Sequence, residues 1–124
     1  MPNPSVELIE LLDGLEDLPS GLNLYSEPTE KIEAPAIVVR PDSPWMEPDR
    51  FCFDLEHYSA ICVVTASTPG DGIALLRTLS LAIIAALVAP WDWVNVEAPL
   101  IDETTGVPFL ANRVRLTYKN GGPT

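Results

Sequence analysis

Basic side chains are scarce in this chain: seven lysines and arginines stand against 18 aspartates and glutamates in 124 residues, a formal charge of -11. A surface of that sign repels phosphate backbones, which argues against sequence-specific nucleic-acid binding. Histidine is scarcer still, with His57 alone. The only two cysteines, Cys52 and Cys62, make no CxxC pair. The spacings that build zinc sites and disulfide frameworks are missing, so two reduced, buried thiols and no metal or cofactor are expected. Residues 73–89 are the nearest thing to a membrane span, at about 26 Å of helix. They contain Arg77, Thr78 and Ser80 and stop at Pro90, which reads as a buried helix. Residues 1–13 lack the positive start of a signal peptide, which points to an intracellular origin.

Hydrophobic residues make up 47% of the chain and the mean hydropathy is +0.16, which is apolar for so acidic a protein and excludes a disordered acidic tail. The length suits one soluble domain over 1–124, with 1–3 and 120–124 frayed. Part of the apolar surface is expected to be covered by partners. The charge is lopsided: residues 1–62 hold 13 acids and three bases, residues 63–124 five acids and four bases.

Along the chain, Asn3 is placed as an N-cap and Pro4 at the first helical position, with Leu8, Leu11, Leu12 and Leu15 on one stripe, closed by 19–21. A short strand is expected at 22–25 and another at 36–40, stopped by Pro41. The stretch 41–50 (PDSPWMEPDR) reads as a loop exposing Trp45 and Met46. Residues 51–66 form the central strand, with Tyr58, Ala60, Cys62 and Val64 on one side and His57, Ser59, Ile61, Val63 and Thr65 on the other. Thr68, Pro69 and Asp71 start the second helix, apolar nearly all round, with Ile73, Leu76, Ile83, Ile84 and Leu87 as its bulky face. Such a helix calls for cover on more than one side. Residues 91–98 form a strand that sets Trp91 and Trp93 on one face. A turn-rich connection follows over 99–112, then a strand at 113–119 with Val114, Leu116 and Tyr118 inward and Arg113, Arg115, Thr117 and Lys119 outward. The expected fold is α+β: a mostly antiparallel four- to five-stranded sheet with two helices, the second long and apolar.

Chemistry-bearing patterns are thin. Gly70-Asp71-Gly72 before a helix imitates a dinucleotide-binding turn, but Leu75 stands at the third glycine position and no repeated βαβ pattern follows. Cys52 and His57 are a conceivable thiol and base, yet they face opposite ways on one strand. Asp42, Glu47 and Asp49 carry carboxylates suited to a cation, in a segment whose prolines break standard loop geometry. No catalytic residue is expected. Trp45, Met46, Arg50, Arg113 and Arg115 are the candidate interface residues, because prolines at 41, 44 and 48 stiffen a segment that carries an aromatic anchor.

The run EHYSAICVVTASTPGDGIALLRTLSLAIIAAL, with the closing VPFLANRVRLTYK, resembles the tail terminator family of long-tailed bacteriophages over roughly residues 4–119. The resemblance lies in layout and phrasing and includes no catalytic motif. It implies a ring, usually of six copies, at the head-proximal end of the tail tube, in the virion after assembly in the host cytoplasm. Such a ring ends tube polymerisation, meets the tail tube protein on one side and a neck or head-completion protein on the other, and lets DNA pass its lumen unbound. An acidic inner wall suits that passage, and no membrane is involved. The alternatives are another neck or head-completion protein, or an acidic DNA mimic that blocks a nucleic-acid-binding enzyme.

Overall fold

The computed structural model describes residues 3–15, 18, 21–27, 32–48, 54–66, 68–102 and 109–120. The elements are α1 (Pro4–Asp13), β1 (Asn23–Tyr25), β2 (Ala36–Pro48), β3 (Asp54–Thr65), α2 (Pro69–Ala86), β4 (Trp91–Val96), β5 (Leu100–Asp102) and β6 (Phe109–Asn120). The fold is α+β, as expected, but the sheet has six strands instead of four or five. Its order is β1-β2-β3-β6-β4, with β5 also paired to β6, and it is mixed because β1 runs parallel to β2.

Both helices start where capping chemistry dictates. Asn3 Oδ1 accepts the Ser5 amide at 3.0 Å and Thr68 Oγ1 accepts the Asp71 amide at 3.2 Å, each with proline in the first turn. The first helix closes at Gly14, ahead of the expected stop at 19–21. The second ends at Ala86, because Leu87 already has extended backbone.

The core lies between the helices and one face of the sheet. Leu8 and Leu12 of α1 and Leu76, Leu79 and Ile83 of α2 meet Ile37, Val39, Tyr58, Ala60, Cys62, Val64, Leu110, Val114 and Leu116. The alternation expected for the central strand holds, since Tyr58, Ala60, Cys62 and Val64 are all buried. So does that of the last strand at Val114, Leu116 and Tyr118.

Three local expectations fail for physical reasons. Residues 41–48 belong to β2 and are not a loop. Their prolines are tolerated because β1 pairs only with Ala36, Ile37 and Val38, which leaves the far side of β2 without a ladder that needs N–H donors. The register against β3 also breaks between Pro41 and Met46, where the chain bulges. The expected connection over 99–112 contains β5 and the start of β6, so the closing strand begins at Phe109 instead of Arg113. In α2, Ile73 is 44% exposed, and the buried stripe is Gly72, Leu76, Leu79, Ser80, Ile83 and Ala86, one step round the helix. The sheet covers that stripe, while Ile73 and Leu81 remain uncovered by the described residues. The second helix has the length and composition to cross a membrane, but its capped start and its core-facing stripe join it to the sheet.

Gly72 sits in that stripe because a Cβ there would lie 2.6 Å from Leu110 Cδ1 and 3.2 Å from its Cγ, inside a packed core. Gly70, two residues earlier, has open space. Gly72→Ala should therefore destabilise the protein by about 1–2 kcal/mol, overpacking outweighing the gain in helix propensity, whereas Gly70→Ala should stabilise it by up to about 1 kcal/mol. Urea denaturation of the two variants checks both signs.

Candidate functional site

The face of the sheet turned away from the helices carries most of the organised charge. In the unbroken β3–β6 ladder, Ser59 lies opposite Arg115, Ile61 opposite Arg113 and His57 opposite Thr117, while β2 adds Arg40 beside Ser59. Side chains directly opposite one another share a face, so four of the chain's seven basic residues lie there: Arg40, Arg113 and Arg115, with Lys119 further along β6.

The bulge in β2 brings Asp42 over this face. Its Oδ1 accepts from Arg113 Nη1 at 3.3 Å and its Oδ2 from Arg115 Nε at 3.1 Å, while Arg113 Nε donates to Glu97 Oε1 at 3.1 Å. One carboxylate thus ties β2 to β6 across β3. Asp42 retains only 10% of its side-chain exposure, against 42% for Arg113 and 33% for Arg115. Burial alone would raise the Asp42 pKa. The Ser43 amide, which donates to Oδ1 at 2.8 Å, the nearby Ser59 hydroxyl and the two guanidinium groups outweigh burial and lower it. The Ser59 hydroxyl is buried beneath this carboxylate but falls short of well-formed hydrogen-bond geometry. Arg40 is exposed and makes no ion pair or hydrogen bond among the described residues. It lines a hollow of about 330 Å³ with Ile61, Glu97, Leu100, Ala111 and Arg113.

The other flank of the bulge reaches the core side. Trp45 Nε1 donates to the Tyr58 hydroxyl at 3.3 Å, and that hydroxyl donates to Glu56 Oε1 at 2.9 Å. Burial, and then the adjoining Glu56, push the Tyr58 pKa up to about 12 despite the opposing indole hydrogen bond. Trp91 stacks edge-on between Tyr58 and Tyr118, with ring centroids 5.5 and 4.9 Å away.

Trp45 is therefore anchored at its nitrogen and still 49% exposed, with Met46 beside it 54% exposed. Arg113 and Arg115 stand together, half-buried, on the sheet face turned away from the helices, tied to Trp45 only through the bulge around Asp42. Arg50, Cys52 and Asp49 lie outside the described residues, as does the side chain of Glu47. The cation reading of Asp42, Glu47 and Asp49 loses its first member to the arginines, and no cluster of metal-ligating side chains occurs among the described residues. Trp91 and Trp93 share a face as expected, but Trp91 is buried and Trp93 is 47% exposed. Sequence reading missed Arg40 and Asp42 as members of the arginine group, because only the register across three strands reveals it. Comparison of the chain with protein-family models finds no match, and comparison with curated proteins finds none either.

Two outcomes follow from this geometry. The Asp42 carboxylate has a lower pKa folded than unfolded, so its stabilisation is complete above the ordinary value of 3.8 and is lost as pH falls through the folded value. Asp42→Asn should cost about 1–3 kcal/mol at neutral pH, and its melting-temperature gap from the parent should close as the pH is lowered below that range. Separately, burial raises the Cys62 pKa to about 12, against an opposing hydrogen bond from Ser80. In a Cys52→Ser background, Cys62 should therefore react with Ellman's reagent only at the rate of opening of the fold.

Proposed function

We propose that the chain is a structural, non-enzymatic component of a bacteriophage tail that assembles into a ring, six copies by the resemblance noted above, at the head-proximal end of the tail tube. In this reading it ends tube polymerisation, meets the tube protein on one face and a neck or head-completion protein on the other, and lets DNA pass without binding.

The observation that carries the assembly part is the uncovered apolar surface around β4. This strand is the last in the sheet order, so one side of its backbone has no strand partner among the described residues, and Trp93, Val94 and Val96 are exposed along it. Ile101 continues the patch onto β5, and Ile73, Leu81 and Val88 add to it from α2 and the residues just after it. An apolar sheet edge of this kind invites pairing unless a neighbour covers it. The acidic excess supports the lumen role, since a negative wall keeps a polyanion moving.

Mass photometry of the purified protein, alone and with tail tube protein, should show a ring-sized species or capped tubes of finite length. A protein that stays monomeric at high concentration and leaves tube growth unchanged refutes the proposal. Within it, Trp45 has the geometry of a docking anchor, held at one end and open at the other. Trp45→Ala should lower assembly or tube capping by about tenfold or more, while the melting temperature drops by only a few degrees for the lost indole hydrogen bond.

A further inference from the structure

We infer that the acidic face of α1 of one copy docks on the arginine group and its neighbouring hollow, on the sheet face turned away from the helices, in a second copy, so that subunits join head to tail. The inference rests on the self-assembly just proposed and adds to the apolar surface around β4 a pair of charged surfaces that orient it.

Two surfaces on opposite sides of the molecule match each other. On the sheet, three arginines (Arg40, Arg113 and Arg115) meet two carboxylates (Asp42 and Glu97), a locally cationic group on a chain of formal charge -11. Arg40 has no partner within its own subunit among the described residues. It borders the hollow over Ile61 and Ala111, whose rim is the protruding Leu100. A cation beside an apolar floor selects a ligand that offers both a carboxylate and an aliphatic group.

On α1, Val6, Glu10 and Asp13 fall at i, i+4 and i+7, one exposed stripe. Neither carboxylate has a hydrogen-bond or ion-pair partner among the described residues. Leu8 and Leu12 hold the opposite side of α1 against the core, so the stripe points outward. From Val6 to Asp13 the helix rises about 10 Å, close to the two strand spacings of about 4.8 Å each that separate β2 from β6. A helix laid across these strands sets its acids over Arg40 and its valine over Ile61 and Leu100.

Charge complementarity favours a second copy over other occupants. The acidic stripe lies on the helix side of the sheet and the arginines on the other, so the contact is heterologous. It repeats from subunit to subunit and closes into a ring when the rotation allows. Each contact leaves a fresh arginine face at one end and a fresh acidic stripe at the other. Nucleic acid fits the arginine face poorly, because the rest of the surface repels it.

A charge-reversal cycle tests the contact by mass photometry and sedimentation. Arg40→Glu alone, and Glu10→Lys with Asp13→Lys, should each weaken self-association by about tenfold or more, with unchanged melting temperatures because all three side chains are exposed and have no partner among the described residues. The triple variant, both surfaces reversed, should recover association, and raising the salt should weaken the parent. Parental assembly that neither reversal alters overturns this contact while leaving the ring standing. Reversals that weaken association without recovery in the triple variant overturn the pairing of these two surfaces. An effect of Arg40→Glu alone, seen only when another tail protein is present, gives the sheet face to that protein and overturns docking by a second copy. A parent monomeric under every condition overturns both the ring and the contact.

Discussion

The twelve-residue antiparallel ladder between β3 and β6 governs the rest of this molecule. It runs without a break from Asp54 opposite Asn120 to Thr65 opposite Phe109. Because side chains alternate strictly across a strand, this single register assigns both faces at once. One face receives Tyr58, Ala60, Cys62 and Val64 with Leu110, Val114, Leu116 and Tyr118, which the helices cover. The other receives Ser59 and Ile61 with Arg113 and Arg115. A slip by one residue would bury the arginines under α2 and expose the core, so the apolar face and the charged face stabilise the same alignment.

The bulge in β2 adds a carboxylate to the charged face that this alignment creates. A continuous β2 would carry Asp42 along the ladder beside β3 alone. The break between Pro41 and Met46 frees it to reach β6, where it pairs with two guanidinium groups and leaves Arg40 without a partner among the described residues. The same bulge sends Trp45 to the opposite side, where its indole donates to Tyr58 above the Tyr58–Trp91–Tyr118 cluster. One irregular segment therefore couples the arginine group on one face to the aromatic end of the core on the other. Three prolines make the irregularity a fixed geometry with little entropy left to lose on binding.

The apolar excess of the sequence is only partly spent on this subunit's own core. The second helix turns Leu76, Leu79 and Ile83 to the sheet but leaves Ile73 and Leu81 exposed, and β4 is apolar where it has no partner strand. Helix and edge lie on adjoining parts of the surface: Ile73, Leu81 and Val96 line a single groove of about 310 Å³. Assembly offers a use for this surface, and the arginine face with the acidic α1 offers a way to orient it.

Much of the fold is legible in the residues themselves. Asn3 with Pro4 and Thr68 with Pro69 determined both helix starts, because capping is local chemistry between neighbours. The alternation in β3 and β6 determined which side chains are buried, since a period of two needs no knowledge of the partner strand. The fate of residues 41–48 was decided elsewhere in the molecule. Proline marks a loop when hydrogen-bond demand is assumed on both sides, and only the short reach of β1 removes that demand from β2. The same holds for the candidate site. Arg113 and Arg115 were recognisable as outward-facing residues, but the meeting of Arg40, Asp42, Glu97 and the two arginines depends on strand order and register across β2, β3 and β6. These are long-range pairings, set by how an apolar face is best buried, and no local pattern in the chain encodes them.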